Sequence, residues 1–311
     1  MQLQGRWILL FIGLLLLVLS FTTPLADETP GFIKETWQFG HVLMFYALVY
    51  SAFPLIVGRI KFASWLVVVI LLSSLVLGLA IEFLQIYVGR EFSLRDIVLD
   101  LLGALLAVSV LTWQKKLPVS KKMAAFIMSG SALLGLYGIS PFVLTVVDEI
   151  HMHRQFPRLC DFESPLEPRR WKGNVSRVRF PGTNSANRVL KSEFKTTRYS
   201  GISLKSFVRD WTSYESLVFD AFVPHQQPLR LTIRIHDNKH YSRGHGNYHD
   251  RYNQQLELSP GWNQVRVSLE DVRNAPSGRQ MDMHNISRIG IFTSGLAKTR
   301  LLYLDAFRLE I

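Results

Sequence analysis

Glu82, Gln85, Asp96 and Asp100 sit at the ends of long apolar runs, where a carboxylate or amide has unusual chemistry. The i,i+3 spacing puts Glu82 and Gln85 on one helix face, and i,i+4 does the same for Asp96 and Asp100. A carboxylate facing lipid is costly, so both faces are expected to turn inward toward each other, with Arg90 and His41 as partners. In enzymatic use, Glu82 or Asp96 would serve as general acid or base. A purely structural hydrogen-bonded network employs the same residues, and Ser93, three positions before Asp96, resembles a helix N-cap.

The second set of candidates lies far along the chain. The segment HDNKHYSRGHGNYHDR, residues 236–251, carries His236, His240, His245 and His249. Imidazole is a good ligand for zinc or copper, but this spacing matches no compact helical or knuckle arrangement, and the Gly and Asn content marks a loop. Tyr241, Tyr248, His249 and Arg251 suit stacking and hydrogen bonding to a sugar, with His236 beside them. If residues 229–236 and 264–269 share a sheet, Arg230, Arg234 and Arg266 form a basic patch suited to carboxylate or phosphate.

The elements that must position these groups divide at about residue 150. Residues 1–150 hold 10 Lys and Arg against 9 Asp and Glu, and residues 151–311 hold 25 against 15, so the net charge of +11 belongs almost wholly to the second half. Residues 7–21, 39–57, 63–88, 97–113 and 123–147 are apolar runs near the length of about 20 residues that a helix needs to cross a bilayer. The first run also has features of a signal peptide, with Arg6 as its charged start and cleavage near Ala26, although Pro24 fits a processing site poorly. Arg6, Arg59, Lys61, Lys115, Lys116, Lys121 and Lys122 fall in alternate connections, which places the N-terminus in the cytoplasm and everything after Val147 outside.

Glu82, Gln85, Gly89, Arg90, Ser93, Asp96 and Gly103 form the pattern E-x-x-Q, G-R, S-x-x-D, G, which resembles the VanZ-like family over roughly residues 7–115. His41 and Phe45 fit that family's second span. This chain departs from the pattern at Asp100, where Asn is common, and at Trp37-Gln38-Phe39-Gly40, where a charged pair often precedes the His. The resemblance implies a bacterial membrane protein and a site, but no reaction. Gly103 and Ala107, four apart, suit close helix packing.

From Cys160 onward the period changes to two. Leu229, Leu231, Ile233 and Ile235 alternate with Arg230, Thr232, Arg234 and His236, and Val265 and Val267 alternate with Gln264, Arg266 and Ser268. Further strands are expected at 216–223, 252–258, 286–293 and 301–310, separated by turns such as Ser259-Pro260-Gly261, and together they indicate a β-sandwich. Trp262 is expected to be buried at the start of a core strand. Residues 151–159 are expected to be a linker.

The phrases CDFE, DWTSYESLVFDAF, LRLTIRIHD, LSPGWNQVRVSL and LYLDAFRLE resemble the galactose-binding-like jelly rolls used as carbohydrate-binding modules, over about residues 160–311. That resemblance implies sugar binding and a structural calcium, for which Asp161, Glu163 and Asp305 are the nominated ligands. Hydrogen bonding by the same carboxylates is the alternative.

A single cysteine, Cys160, forms no internal disulfide, and neither a Ser-His-Asp arrangement nor a phosphate-binding glycine loop appears in motif form. The expected fold is therefore a five-helix transmembrane bundle followed by an all-β jelly-roll sandwich. The expected protein is a non-enzymatic binder in the inner membrane, with membrane lipids and an anionic glycan, glycolipid or envelope polymer as partners, and no nucleic acid. A membrane enzyme acting on a lipid-linked sugar is the alternative. Transport is disfavoured because the third and fourth helices carry no ionisable group in their inner halves.

Overall fold

Residues 3–22, 29, 31–57, 63–180, 187–242 and 247–311 are described by the computed structural model. Ala26, Arg59, Lys61 and His245, and the side chain of Tyr241, lie outside the described residues. The chain divides into two units, Met1–Thr145 and Val146–Ile311.

The first unit is helical, as the long apolar runs require. Its helices are α1 (Leu3–Thr22), α2 (Gly31–Ile56), α3 (Ala63–Ile86), α4 (Leu94–Trp113) and α5 (Lys121–Gln155). Of these, α1, α2, α3 and α5 stand out as long and apolar enough to cross a membrane; α4, which carries Arg95, Asp96 and Asp100, is not among them. Instead α4 is the interior helix, burying Ile97, Leu99, Leu102, Ala104, Ala107, Val108 and Leu111 beside its two aspartates. Small residues permit this. A Cβ at Gly103 would collide with the Val42 carbonyl and lie 3.0 Å from the Phe45 Cβ, so the backbones of α2 and α4 approach where glycine stands. The outer surface is apolar, with Trp7, Phe11, Trp65, Val76, Phe126 and Leu136 all exposed.

Two expected boundaries move. Helix α2 begins at Gly31, eight residues before the expected run, because the polar segment Lys34–Gln38 continues the helix instead of capping it. Helix α5 runs on to Gln155, and Arg158–Cys160 is already a strand, so residues 151–159 are not a linker. No Gly or Pro interrupts the chain between Pro141 and Pro157, and Met152 is buried in the core of the second unit.

That second unit is a sandwich of antiparallel strands: β1 (Arg158–Cys160), β2 (Trp171–Lys172), β3 (Val175–Arg179), β4 (Arg188–Phe194), β5 (Tyr199–Leu204), β6 (Ser216–Val223), β7 (Leu229–Asp237), β8 (Tyr252–Leu258), β9 (Gly261–Ser268), β10 (Ile286–Ser294) and β11 (Arg300–Glu310). One sheet has the order β3-β4-β11-β6-β9, with β1 added on β11, and the other has β2-β5-β10-β7-β8. A bulge between Asp305 and Arg308, with Ala306 at φ 52°, bends β11 so that its first half pairs with β4 and its end with β1. Two short helices, α6 (Lys239–Ser242) and α7 (Leu269–Asn274), follow β7 and β9. Between the sheets lie Phe162, Trp171, Trp211 and the stacked pair Phe219 and Phe307, whose ring centroids are 4.5 Å apart.

Two further expectations fail here. Strands β7 and β9 belong to different sheets, because β9 pairs with β6 from Ser216↔Ser268 to Val223↔Gly261, so Arg266 joins no patch with Arg230 and Arg234. Trp262 is 48% exposed, because it is in phase with the outward Gln264 and Arg266 while Val265 and Val267 point inward. It packs at the surface against Phe180 and Phe222, with centroids 4.9 and 5.3 Å away.

Candidate functional site

Strand register determines what the open face of the β2-β5-β10-β7-β8 sheet presents. One row of paired residues runs Lys172, Ser203, Gly290, Arg234, Asn253 across all five strands, and the next runs Gly201, Phe292, Thr232, Gln255. The glycines give this face its shape. A Cβ at Gly290 would lie 3.3 Å from Arg234 Nε, so glycine lets the guanidinium lie across the sheet, and a Cβ at Gly201 would lie 2.5 Å from the Phe292 Cβ. The result is a trough of about 580 Å³ lined by Tyr199, Phe292, Tyr248, Arg234, Arg251 and Lys172 among others.

Its rim is aromatic and its floor is polar and cationic. Tyr199 is 63% exposed with its ring set edge-on to Phe292, and Tyr248 is 56% exposed with the Arg251 guanidinium 5.5 Å over its ring. Flat exposed rings beside Arg donors are what a pyranose requires: an apolar face for its C–H groups, and donors for its hydroxyl or carboxylate oxygens. Of the residues singled out by sequence, Arg234, Tyr248 and Arg251 line the trough. Arg230 lies farther along the same face and pairs with Glu257 (3.1 Å) across the β7–β8 register. Arg266, on the other sheet, pairs with Glu310 and donates to Ser216 Oγ (2.6 Å).

His236 does not join them. It is buried beside His240 of α6, ring centroids 4.8 Å apart, with its Nδ1 3.3 Å from the Asp237 carbonyl, and burial pulls its imidazole pKa down to about 3. The segment 236–251 is pinned by a residue that sequence reasoning missed. Arg279 donates to Asp237 Oδ2 (2.5 Å) and Oδ1 (2.9 Å), and to Asp250 Oδ1 (2.6 Å) and Oδ2 (2.9 Å). Its hydrogen bonds hold the Asp250 carboxyl below the ordinary carboxylate range; burial pushes the Asp237 carboxyl up, but Arg279 together with the Asp282 and His240 amides outweighs it and leaves that carboxyl lowered too. His240 is buried against the Asp250 carbonyl (3.1 Å), whereas His249 is exposed with its ring edge-on to Tyr248. Of the segment's described residues, His236, Asp237, His240 and Asp250 are buried, whereas Tyr248 and His249 are exposed.

The nominated calcium ligands are each engaged by protein donors. Asp161 accepts from Arg158 (2.7 Å) and the Glu163 amide (3.1 Å), Glu163 from the Arg188 amide (3.0 Å), and Asp305 from Asn187 (3.0 Å) and the Ala306 amide (2.8 Å). Among the described residues these three do not converge as a ligand set. Nearby, Glu167 and Arg170 are fully buried without any sequence signal. Arg170 donates to Asp148 (2.8 Å) and the Leu159 carbonyl (2.8 Å), and Glu167 accepts from the Asp161 amide (3.1 Å) and the Phe162 amide. Cys160, between them, is fully buried, which pushes its thiol up to about 12 and leaves it inert.

In the helical unit the expected polar cluster forms with different partners. Glu82 points inward, and its Oε2 accepts the Ser93 amide (2.7 Å). Ser93 caps α4 by accepting the Asp96 amide (3.2 Å). In a capping box the third residue of the helix would take the Ser93 amide; here Glu82 takes it, and the Asp96 carboxylate turns to His41, with Oδ2 3.6 Å from Nε2. His41 Nδ1 donates to Asp100 Oδ1 (2.9 Å). Arg90 is not the counter-ion: its Nη1 donates to the Ser20 carbonyl (2.6 Å), which Gln85 Nε2 also reaches (3.3 Å). Ser20, on α1, had no sequence signal because a lone serine near a helix end is commonplace.

No protein-family model and no curated protein matches the chain. Several solved structures do. It is similar to an exo-β-agarase (15% identity, 49% of this chain, 25% of that chain, TM-score 0.39) and to the family 11 carbohydrate-binding module from Clostridium thermocellum in complex with a β-1,3-1,4-mixed-linked tetrasaccharide (14%, 49%, 94%, 0.38). It is also similar to the non-crystalline-cellulose-specific module CBM28 (11%, 50%, 93%, 0.35). The chain spans a quarter of the agarase's length.

Proposed function

We propose that this protein is a membrane-anchored, non-enzymatic binder of an anionic glycan or glycolipid of a bacterial envelope. The trough on the five-stranded sheet carries this reading: two exposed tyrosines and Phe292 offer stacking faces, and Arg234, Arg251 and Lys172 surround the same floor. The cationic lining favours acidic sugars, or the phosphates of a glycolipid or envelope polymer, over neutral polysaccharide.

The anchor would be the helical unit, with its apolar outer surface against membrane lipids, its N-terminus in the cytoplasm and the sandwich outside; this orientation has the interior helix α4 cross as well, its aspartates buried away from lipid. Basic residues in alternate connections and the resemblance of residues 82–103 to the VanZ-like pattern support that placement in an inner membrane. A glycan array probed with the Val146–Ile311 unit tests the function: acidic glycans or phosphate-bearing envelope polymers should bind and Tyr199→Ala should lose the signal. Binding that survives Tyr199→Ala and Arg234→Ala alike would exclude this face. The membrane-enzyme alternative, with Glu82 or Asp96 as acid or base, requires turnover of a lipid-linked sugar that Glu82→Gln abolishes.

A further inference from the structure

Three carboxylates and one imidazole meet inside the helical unit, where water cannot offset their charge. We propose that His41, Glu82 and Asp96 form a binding site for a divalent transition-metal cation, with Asp100 as the positioning residue that orients the histidine. One ligand atom from each of the three lies within 4.8 Å of the others, and the residues are 3%, 1% and 4% exposed. Ligand atoms about 2.1 Å from a tetrahedral zinc ion are about 3.4 Å apart, and His41 Nε2 is 3.6 Å from Asp96 Oδ2, so a small contraction brings this edge to the coordination distance.

The hydrogen bonds already present leave the correct atoms over. A carboxylate only accepts, so Asp100 Oδ1 fixes the proton of His41 on Nδ1 and leaves the Nε2 lone pair facing Asp96. That is the carboxylate–histidine–metal arrangement that sets tautomer and ring orientation in metal sites. Glu82 uses Oε2 on the Ser93 amide. His41 Nε2, Glu82 Oε1 and Asp96 Oδ1 are buried atoms with no hydrogen-bond partner among the described residues. Such atoms are costly unless something satisfies them, and a cation satisfies all three at once.

The charges agree. The adjacent arginines are committed elsewhere, Arg90 to the Ser20 carbonyl and Arg95 to Glu35 (2.6 Å), so neither neutralises the buried carboxylates. An imidazole with two carboxylates selects a first-row ion such as Zn²⁺ over Ca²⁺ or Mg²⁺, which prefer all-oxygen sites. Asp100 fits beside the histidine because residue 78 is glycine: a Cβ there would lie 2.8 Å from Asp100 Oδ2. An Asn at position 100 would also accept from the histidine, but without the charge that makes the imidazole a stronger ligand.

The test uses the full chain in detergent, purified without a histidine tag and stripped with a chelator, then titrated with Zn²⁺. Wild type should bind one equivalent, and Zn²⁺ should raise its melting temperature. His41→Ala, Glu82→Gln and Asp96→Asn should each weaken that binding by about a hundredfold or more and abolish the thermal shift, whereas His249→Ala in the exposed loop should change neither. Asp100→Asn removes no ligand, so it keeps the test open if a ligand variant does not fold; it should weaken Zn²⁺ by about ten- to a hundredfold. Co²⁺ should give visible d–d absorption in wild type that Glu82→Gln removes. A folded wild type that binds no Zn²⁺, or one equivalent retained equally by Glu82→Gln, Asp96→Asn and Asp100→Asn, overturns the proposal.

Discussion

Tyr199 and Arg234 contribute to the same trough through different physics, so their variants should fail differently. Truncating an exposed tyrosine removes a stacking face, and Tyr199→Ala should weaken glycan binding about tenfold or more, about 1.4 kcal/mol, with little dependence on salt. Arg234→Ala should weaken it comparably, with a loss that shrinks as ionic strength rises, since the charge is what it removes. Calorimetric titrations at two salt concentrations separate these outcomes, and identical salt responses would mean that Arg234 does not contact the ligand. Both residues were open to sequence reasoning to different degrees. Arg234 lay in a clear period-two strand, whereas Tyr199 lay in a polar stretch whose strand, β5, had too few apolar residues to declare itself. Trp262 was legible in principle: its phase with Gln264 and Arg266 pointed outward, and aromatic identity alone suggested the core.

Buried His236 gives the sandwich unit a pH signature of its own. Because burial pulls His236 down to about 3, against about 6.5 in an unfolded chain, the unfolded state binds a proton below pH 6.5 that the folded state refuses. Stability therefore falls as pH drops through that window, by about 1.4 kcal/mol per pH unit from this residue alone. His236→Gln removes the term, so the stability of wild type relative to the variant should fall between pH 7 and pH 4. Chemical denaturation of the Val146–Ile311 unit at three pH values measures this, and a constant difference would mean that His236 titrates in the folded protein.

At the scale of elements, the least legible feature was the junction near residue 150. Change of period marks a domain boundary well when a loop intervenes, but here the helix runs to Gln155 and its last turns supply Asp148 and Met152 to the sandwich unit. Arg170 has a fully buried side chain, and Asp148 is its charged partner, so a fragment that begins at Cys160 strands this guanidinium and also loses β1 from the edge of β11. Breaking a buried pair typically costs about 3 to 5 kcal/mol. A fragment from Val146 should therefore be more stable than one from Cys160 by at least that amount, measured by denaturant melting, and equal midpoints would show that Asp148 contributes nothing. The helical elements were easier to read because apolar length is a strong signal. What sequence did not convey was which residues they bring together: the i,i+3 and i,i+4 spacings predicted inward faces correctly, but Arg90 turned to the backbone of Ser20, a partner that spacing on α3 and α4 cannot reveal.

Across the whole molecule, charge and hydropathy are segregated between the two units, and that segregation makes the proposed orientation testable. The apolar helices α1, α2, α3 and α5 have exposed Leu, Val, Phe and Trp side chains that a bilayer would cover, the proposed orientation has α4 cross in their midst, and the basic excess lies after residue 150. Lys115, Lys116, Lys121 and Lys122 cluster in and beside the connection between α4 and α5, the densest basic charge in any of the short connections. Positive charge in a short connection is retained in the cytoplasm, so a chain that crosses once more along α5 delivers Val146 and all that follows to the other side. A phosphatase that folds only outside the cytoplasm should thus be active when fused after Ile311 and inactive when inserted between Lys116 and Lys121. Replacing the four lysines with glutamine should weaken this asymmetry, because the residues that hold the connection inside would be gone. Activity at the lysine connection and none after Ile311 would place the trough in the cytoplasm, out of reach of any envelope glycan.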